Sequence, residues 1–366
     1  MKPKKVFIKT YGCQMNEADS DEMSSIFSLY GTQETKNIKK ADVVLVNSCT
    51  VRANAENKAL SFLGRLKKWK GVTIEDVRGS KKQLIIFAGC AAQRLGAEVR
   101  KKHPHLDITT GAKSIEKFAE VLDNSGFFDG QSKKPHHAKS PANPLGVQTI
   151  MRGCDFACTY CIVPSVRGGV KCLSKKEIIS SIEQKIKNGA KEIVLLGQTV
   201  NAWRYGKTDF ADLLKEVSKL SNLKRVSFMS PHPIHITDKL IDTIKNNPKI
   251  ARNIHLPIQS GSTKILKDMK RGYSRRDILI ICKKLKDIGI KISTDFIVGY
   301  PTETEKDFKD TISIVEKIGF SHAYCFIFSP RQGTKAEHLK PLDKKVLEKR
   351  VNILLNKVKQ KASKLK

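Results

Sequence analysis

The 366-residue chain contains no run of 18 apolar residues, which excludes a helical membrane span. The start of the chain argues against a secretion leader. The Lys-rich start, Met1 to Lys5, passes straight into an alternating strand pattern rather than an apolar core. Acidic residues are scarce: 36 Asp and Glu stand against 68 Lys and Arg, a formal net charge of +32 on 41.0 kDa. A general lysine bias would give such an excess, but a polyanion is its natural partner, bound with affinity that falls steeply with salt. Nine cysteines without a leader indicate a reducing cytoplasm, where thiols serve metals or catalysis rather than disulfides. Hydrophobic content of 40% with 28% charged residues is that of a soluble globular protein. The length is enough for two domains.

A further shortage is local. Cys154, Cys158 and Cys161 form a Cys-x3-Cys-x2-Cys run, supplying three thiolates where a cubane cluster takes four ligands. A [4Fe-4S] cluster held this way has one iron open to a small molecule. The rival is zinc, with the Cys158 and Cys161 pair completed by Cys154 and Cys172. Zinc sites usually come as two well-formed pairs, and Cys154 and Cys172 form none. Three free buried thiols are the remaining alternative.

From Val6 to about Val121, short apolar runs alternate with helical segments, the pattern of an open parallel sheet. Val6-Phe7-Ile8 leads to Cys13, Val43-Val44-Leu45-Val46 to Cys49, and Leu84-Ile85-Ile86-Phe87 to Cys90. The helix expected over Asn54 to Trp69 carries Ala55, Ala59, Phe62, Leu63 and Leu66 on one side. Ligands bind outside the carboxyl ends of such strands, so these three cysteines converge on one edge as a second metal site. Small core residues are the alternative. Residues 129–146 read as a linker with Pro135, Pro141 and Pro144, and His136 and His137 as solvated residues within it.

Beyond the linker, six strand–helix units follow, centred near Ile150, Val194, Val226, Leu256, Ile297 and Phe326. Ser174 and Glu177 make a capping box and Gly189 closes that helix. Ser274 to Ile288 and Glu303 to Ile318 repeat the pattern. The α/β arrangement expected is an N-terminal open parallel sheet domain (1–128) followed by a partial (β/α)6 barrel (147–340). Cys154 follows the first barrel strand, on the edge where barrels keep their chemistry. Residues 341–366 read as a basic helix with a stripe of Val346, Leu347, Val351, Leu354, Leu355 and Val358, which packs on the barrel with its basic face outward; a plain solvated face is the equal alternative.

The cysteine loop with Tyr160 before its last cysteine resembles that of radical S-adenosylmethionine enzymes. More narrowly, nearly the whole chain resembles the methylthiotransferases. The matching segments are Thr10 to Asn16, Asn47 to Arg52, Gly89-Cys90, His255 to Ser262, Lys270-Arg271-Gly272-Tyr273, Asp295 to Pro301 and Ser329-Pro330-Arg331. Of these, His255 to Ser262 and Lys270-Arg271-Gly272-Tyr273 look like the branch acting on tRNA.

The resemblance implies two [4Fe-4S] clusters and S-adenosyl-L-methionine. Cys154, Cys158 and Cys161 would hold the cluster that cleaves the cofactor to a 5′-deoxyadenosyl radical. Cys13, Cys49 and Cys90 would hold an auxiliary cluster carrying the sulfur to be inserted. The substrate implied is adenosine 37 of tRNA bearing an N6-isopentenyl group, taken out of its stack and thiolated at C2. Gln198, Asn201, Ser230, Gln259 and Ser260, at barrel strand ends, are candidate cofactor contacts; ordinary strand-end polar residues are the alternative. A flavodoxin or ferredoxin as electron donor, a monomeric state and no membrane association complete the expectation.

The chain departs from the family in two places. Val170, Cys172 and Leu173 stand where a Glu and a Ser-Arg pair are usual. The small RNA-binding β-barrel that usually ends the family is not expected here, so that RNA affinity rests on the basic surface and tail or the chain is a truncated form. Cys282 and Cys325 read as core, and Cys172 stays open. Another tRNA adenosine, a ribosomal protein as substrate, and a non-catalytic zinc-containing RNA-binding protein are the alternatives.

Overall fold

The computed structural model describes residues 3–71, 83–128 and 145–363. All but the last two residues of the expected linker, His136 and His137 included, lie outside the described residues. Contacts divide the chain into two units: Met1–Pro141 with Ser165–Gly168, and Ala142–Pro164 with Gly169–Lys366.

In the first unit the chain runs β1 (Lys5–Tyr11), α1 (Gln14–Leu29), β2 (Gln33–Glu34), β3 (Val43–Ser48), α2 (Ala53–Gly71) and β4 (Leu84–Gly89). Then follow α3 (Cys90–Leu95), α4 (Glu98–Lys102), β5 (Ile108–Gly111) and α5 (Phe118–Asp123). The sheet is parallel throughout, in the order β2-β1-β3-β4-β5. Every residue of β3 and β4 is buried, as continuous apolar runs require when helices cover both faces. Val43, Leu45, Leu84 and Ile86 pack with Met23, Phe27 and Phe118 on one face. Val44, Val46, Ile85 and Phe87 pack with Ala59, Leu63 and Leu66 of α2 on the other. Strand order reverses between β1 and β3, which places the ligand crevice of such a sheet at their carboxyl ends. Cys13, Cys49 and Cys90 each stand one or two residues past β1, β3 and β4, three neighbouring strands.

Beyond the linker come β6 (Leu145–Thr149), β7 (Met151–Arg152), α6 (Val163–Arg167), β8 (Lys171–Cys172), α7 (Lys175–Lys187) and β9 (Glu192–Leu196). The hairpin β10 (Arg204–Tyr205) and β11 (Thr208–Asp209), α8 (Phe210–Ser218), β12 (Arg225–Phe228) and α9 (Asp238–Lys245) follow. The remainder is β13 (Asn253–His255), α10 (Thr263–Asp268), α11 (Arg275–Asp287), β14 (Lys291–Val298), α12 (Glu305–Ile318), β15 (His322–Ile327) and α13 (Lys344–Ser363). Two three-stranded parallel sheets, β12-β9-β6 and β13-β14-β15, are linked by a parallel bridge between Val226 and Ile250. The result is the six-stranded partial barrel expected. Its core packs Ile193, Leu195, Val226, Ile254, Phe296 and Val298 against Ile178, Ile182, Leu214, Ile241 and Ile278 of the surrounding helices.

Ser174 and Glu177 exchange hydrogen bonds as a capping box, and Ser274 with Asp277 and Thr304 with Asp307 repeat it. Several boundaries shift from expectation. Ile150 and Leu256 lie one residue beyond β6 and β13 rather than at strand centres. The helix expected from Glu303 starts at Glu305, because Thr304 caps it and Glu303 turns inward to Arg350. In α13, Leu347, Leu354 and Val358 are buried as expected, but Val346 is exposed and Arg350, from the supposed outer face, is buried. Cys282 is core; Cys325 and Cys172 are partly buried against the same core. Burial pushes the Cys282 and Cys325 thiols up to about 12.

Candidate functional site

The first cysteine group is built at the end of the N-terminal sheet. Cys13 is the N-cap of α1, where the positive end of a 16-residue helix favours a thiolate. Asn16 accepts from the Cys13 amide at 3.3 Å and from its thiol at 3.4 Å. Asn16 in turn donates to the Asn47 side chain (3.2 Å), and Asn47 donates to the Asn16 carbonyl (2.8 Å) and Ser20 Oγ (2.9 Å). This buried network ties the start of α1 to the end of β3. Cys49 is fixed by its amide to the Tyr11 carbonyl (2.8 Å), and its sulfur accepts from the Val51 amide (3.3 Å). Cys90 opens α3 behind Gly89, whose φ of 92° lies in the left-handed region.

The three thiols sense one another. A hydrogen bond shared with Cys49 is the main cause that pulls Cys13 down to about 6. The same contact, with burial, pushes Cys49 up. Burial raises Cys90, against the pull of Arg167. Arg167 Nε donates to Cys90 Sγ at 3.2 Å and its Nη2 to Asp19 at 2.7 Å. Burial works against the Arg167 charge, but Asp19 and Cys90 outweigh it and hold the guanidinium protonated.

The second group lies in the loop after β7. Thr159 anchors it: its amide donates to the Met269 carbonyl (3.2 Å), its hydroxyl bonds Tyr300 (2.9 Å), and its carbonyl accepts from Ala336 (2.8 Å). Cys161 closes a turn onto the Cys158 carbonyl (3.1 Å), and Cys154 Sγ lies 3.5 Å from the Thr199 hydroxyl. Tyr160 packs beside Ile297, Tyr300 and Phe328. Phe156 stacks on His232 at 4.2 Å. Arg271, 7% exposed, donates to Cys158 Sγ (3.3 Å), Tyr160 Oη (3.4 Å), Tyr273 Oη (2.9 Å) and the Pro257 carbonyl (3.3 Å). Burial pushes the Cys161 thiol up to about 12. Among the described residues no three His, Cys, Asp or Glu side chains are spaced around a single ion.

The five candidate cofactor contacts divide. Gln198 is partly buried, and neither atom of its side-chain amide has a partner among the described residues. Ser230 is exposed at φ 60° and Gln259 partly exposed at φ 67°, both in left-handed conformations that cost energy and cluster at functional sites. Asn201 and Ser260 already have partners within the fold. Asn201 brackets the His232 backbone (2.9 and 2.7 Å), and Ser260 is buried against Thr311. At the departures, Val170 and Cys172 pack on the barrel core, the Val170 amide donates to Asp155 (2.9 Å), and Leu173 is exposed. Arg167, Asp19, Arg271, Phe156 and His232 had no role by sequence. Arg271 stood inside one of the matching segments, but no spacing rule links either arginine to a cysteine.

Residues 149–315 match the Radical SAM superfamily, and residues 5–111 match Uncharacterized protein family UPF0004. The chain is 42% identical over 334 residues to a tRNA-2-methylthio-N(6)-dimethylallyladenosine synthase of Endomicrobium trichonymphae, covering 91% of this chain and 78% of that protein. The synthase of the same name from Alkaliphilus oremlandii is 39% identical over 377 residues, covering 98% and 78%. Among solved structures, the radical S-adenosylmethionine methyltransferase TsrM from Kitasatospora setae aligns with a TM-score of 0.67 at 10% identity, over 92% of this chain and 77% of that one. The cobalamin-dependent S-adenosylmethionine radical enzyme OxsB gives 0.60 at 12%, over 99% and 56%. At those identities the likeness is one of fold.

Proposed function

The chain belongs to the methylthiotransferase family of radical S-adenosylmethionine enzymes, and from that premise we propose that it converts N6-isopentenyladenosine at position 37 of tRNA to its 2-methylthio derivative. The observation that carries this reading is the pair of three-cysteine groups, one on each unit, each short of a fourth ligand. Cys154, Cys158 and Cys161 would hold the cluster that engages S-adenosyl-L-methionine, and Cys13, Cys49 and Cys90 would hold the auxiliary one. When bound, these groups supply the electron, the radical and the sulfur that the insertion needs.

The chain's own residues do the positioning. Arg271 fixes Cys158 and Tyr160 together, and Phe156 stacks on His232 beside the loop. Gln198 offers both a donor and an acceptor to the cofactor, with Ser230 and Gln259 at the neighbouring strand ends. Asn201 and Ser260 shape those loops from beneath. The +32 charge supplies affinity for the tRNA backbone. No described helix is long and apolar enough to cross a membrane. A cytoplasmic monomer reduced by a flavodoxin or ferredoxin completes the reading, with residues 1–128 as the sulfur-carrying domain and 147–340 as the radical-forming barrel.

Mass spectrometry of tRNA nucleosides from a deletion strain tests it. The expected result is N6-isopentenyladenosine without the 2-methylthio form, restored by the intact gene. Unchanged 2-methylthio product would end the reading. In the purified protein, Cys154→Ala is expected to abolish 5′-deoxyadenosine formation, and Cys13→Ala to spare it and stop thiolation.

A further inference from the structure

Arg167 carries an unfilled donor. It is 8% exposed, and Asp19 is fully buried. Two guanidinium nitrogens are committed, Nη2 to Asp19 and Nε to Cys90 Sγ. The third, Nη1, is buried without a hydrogen-bond partner among the described residues. A buried guanidinium placed only for packing has every reason to satisfy all its donors, because an orphaned one is costly. Arg271 in the barrel has an acceptor for each of its nitrogens, whereas Arg350 also leaves its Nε unpaired among the described residues. What sets Arg167 apart is that its orphaned donor belongs to a guanidinium already bonded to Cys90 Sγ. The loose donor of Arg167 therefore fits a group bound beside Cys90. The chemistry also agrees, since a cluster carried by three thiolates is anionic and its sulfurs accept hydrogen bonds.

We propose that Arg167, oriented by Asp19, is a positioning residue for the cluster of Cys13, Cys49 and Cys90, giving Nε to the Cys90 sulfur and Nη1 to a sulfur of the cluster and so raising its reduction potential. Hydrogen bonds and positive charge at cluster sulfurs favour the reduced, more negative state. Asp19 has two effects. It locks the guanidinium rotamer through a charge-assisted bond, and its own negative charge opposes reduction. Replacing the two residues consequently moves the potential in opposite directions. This inference rests on the reading of that triad as an auxiliary cluster site.

The test uses the full chain carrying Cys154→Ala, Cys158→Ala and Cys161→Ala, so that only the auxiliary site binds iron after anaerobic reconstitution. Iron content and a redox titration followed by electron paramagnetic resonance are the readouts. The parent is expected to hold about four iron atoms. Arg167→Gln keeps iron but is harder to reduce, its reduced-to-oxidised ratio at the parent midpoint falling about tenfold, or about 59 mV for one electron. Arg167→Lys, which keeps the charge and loses the fork, falls between. Asp19→Asn shifts the midpoint upward. The proposal is overturned if Arg167→Gln and Asp19→Asn keep the parent potential or move it the same way. It is equally overturned if Arg167→Gln loses iron while Arg167→Lys and Asp19→Asn match the parent in both readouts. Absence of iron from the parent itself defeats the reading of the triad, a result distinct from either.

Discussion

Arg350 of α13 and Glu303 after β14 form an ion pair withdrawn from water, Nη1 to Oε2 at 2.7 Å with side-chain exposures of 8% and 1%. Glu303 also accepts from the Gly299 amide at 2.9 Å, so the C-terminal helix fastens the loop that leaves β14. Removing one partner of such a pair strands a buried charge, at about 3–5 kcal/mol. Arg350→Met is therefore expected to lower unfolding free energy by about that amount in urea denaturation, and adding Glu303→Gln to recover part of it. A loss within about 0.5 kcal/mol, typical of surface changes, would place α13 as an appendage rather than part of the barrel.

His232 gives a pH signature. Burial first, then the nearby charge of Arg271 and then His235, lowers its pKa to about 2. An unfolded histidine titrates near 6.5, so the unfolded chain binds a proton that the folded one refuses. Its contribution is fully present above pH of about 6.5 and is lost progressively as pH falls towards the folded value. His232→Phe should flatten the fall in stability between about pH 6.5 and 4. Parallel curves for the two proteins would show that His232 is protonated in the fold.

The convergence of Cys13, Cys49 and Cys90 was legible because continuous apolar runs identify parallel strands, and parallel strands bring their carboxyl ends together. The six barrel units were legible for the same reason, helped by caps such as Ser174 with Glu177. Side-chain direction was not. Asn201 and Ser260 read as well as Gln198 did, since all are polar residues at strand ends, yet only Gln198 is left unpartnered. Arg167 had no role, and Arg350 read as part of the outward basic face of the C-terminal helix. Their burial depends on Asp19 and Glu303, 148 and 47 residues away, and no local pattern reports such a pairing. Cys172 was undecidable because its place depends on the two-residue β7–β8 pairing with Met151.

Binding of tRNA by a chain this basic should be dominated by phosphate contacts. A protein making about six of them loses roughly a thousandfold in affinity between about 50 and 200 mM salt. Filter binding of unmodified and isopentenylated tRNA across that range is expected to give steep, parallel slopes, offset by whatever the base itself contributes. A slope near zero would mean that the excess of lysine has nothing to do with RNA.

Gly89 tests how tightly the auxiliary site is built. Its φ of 92° is one that L side chains rarely adopt, at a cost of about 1–3 kcal/mol. A Cβ there would also lie 2.1 Å from Asn47 Oδ1 and 2.9 Å from the Ser48 carbonyl oxygen. Asn47 is the residue that holds Asn16, and Asn16 holds Cys13, so the disturbance reaches two of the three ligands from one methyl group. Gly89→Ala is expected to reduce reconstituted iron from about eight atoms per chain to about four, with 5′-deoxyadenosine formation retained. Gly206 at the β10–β11 turn is the matched control, with φ 57° and nothing within 4 Å of the added carbon. Gly206→Ala carries backbone strain without a clash and should keep the full iron complement. If both variants keep it, the close approach at Asn47 relaxes freely and the strand-end network does not set the positions of the cysteines.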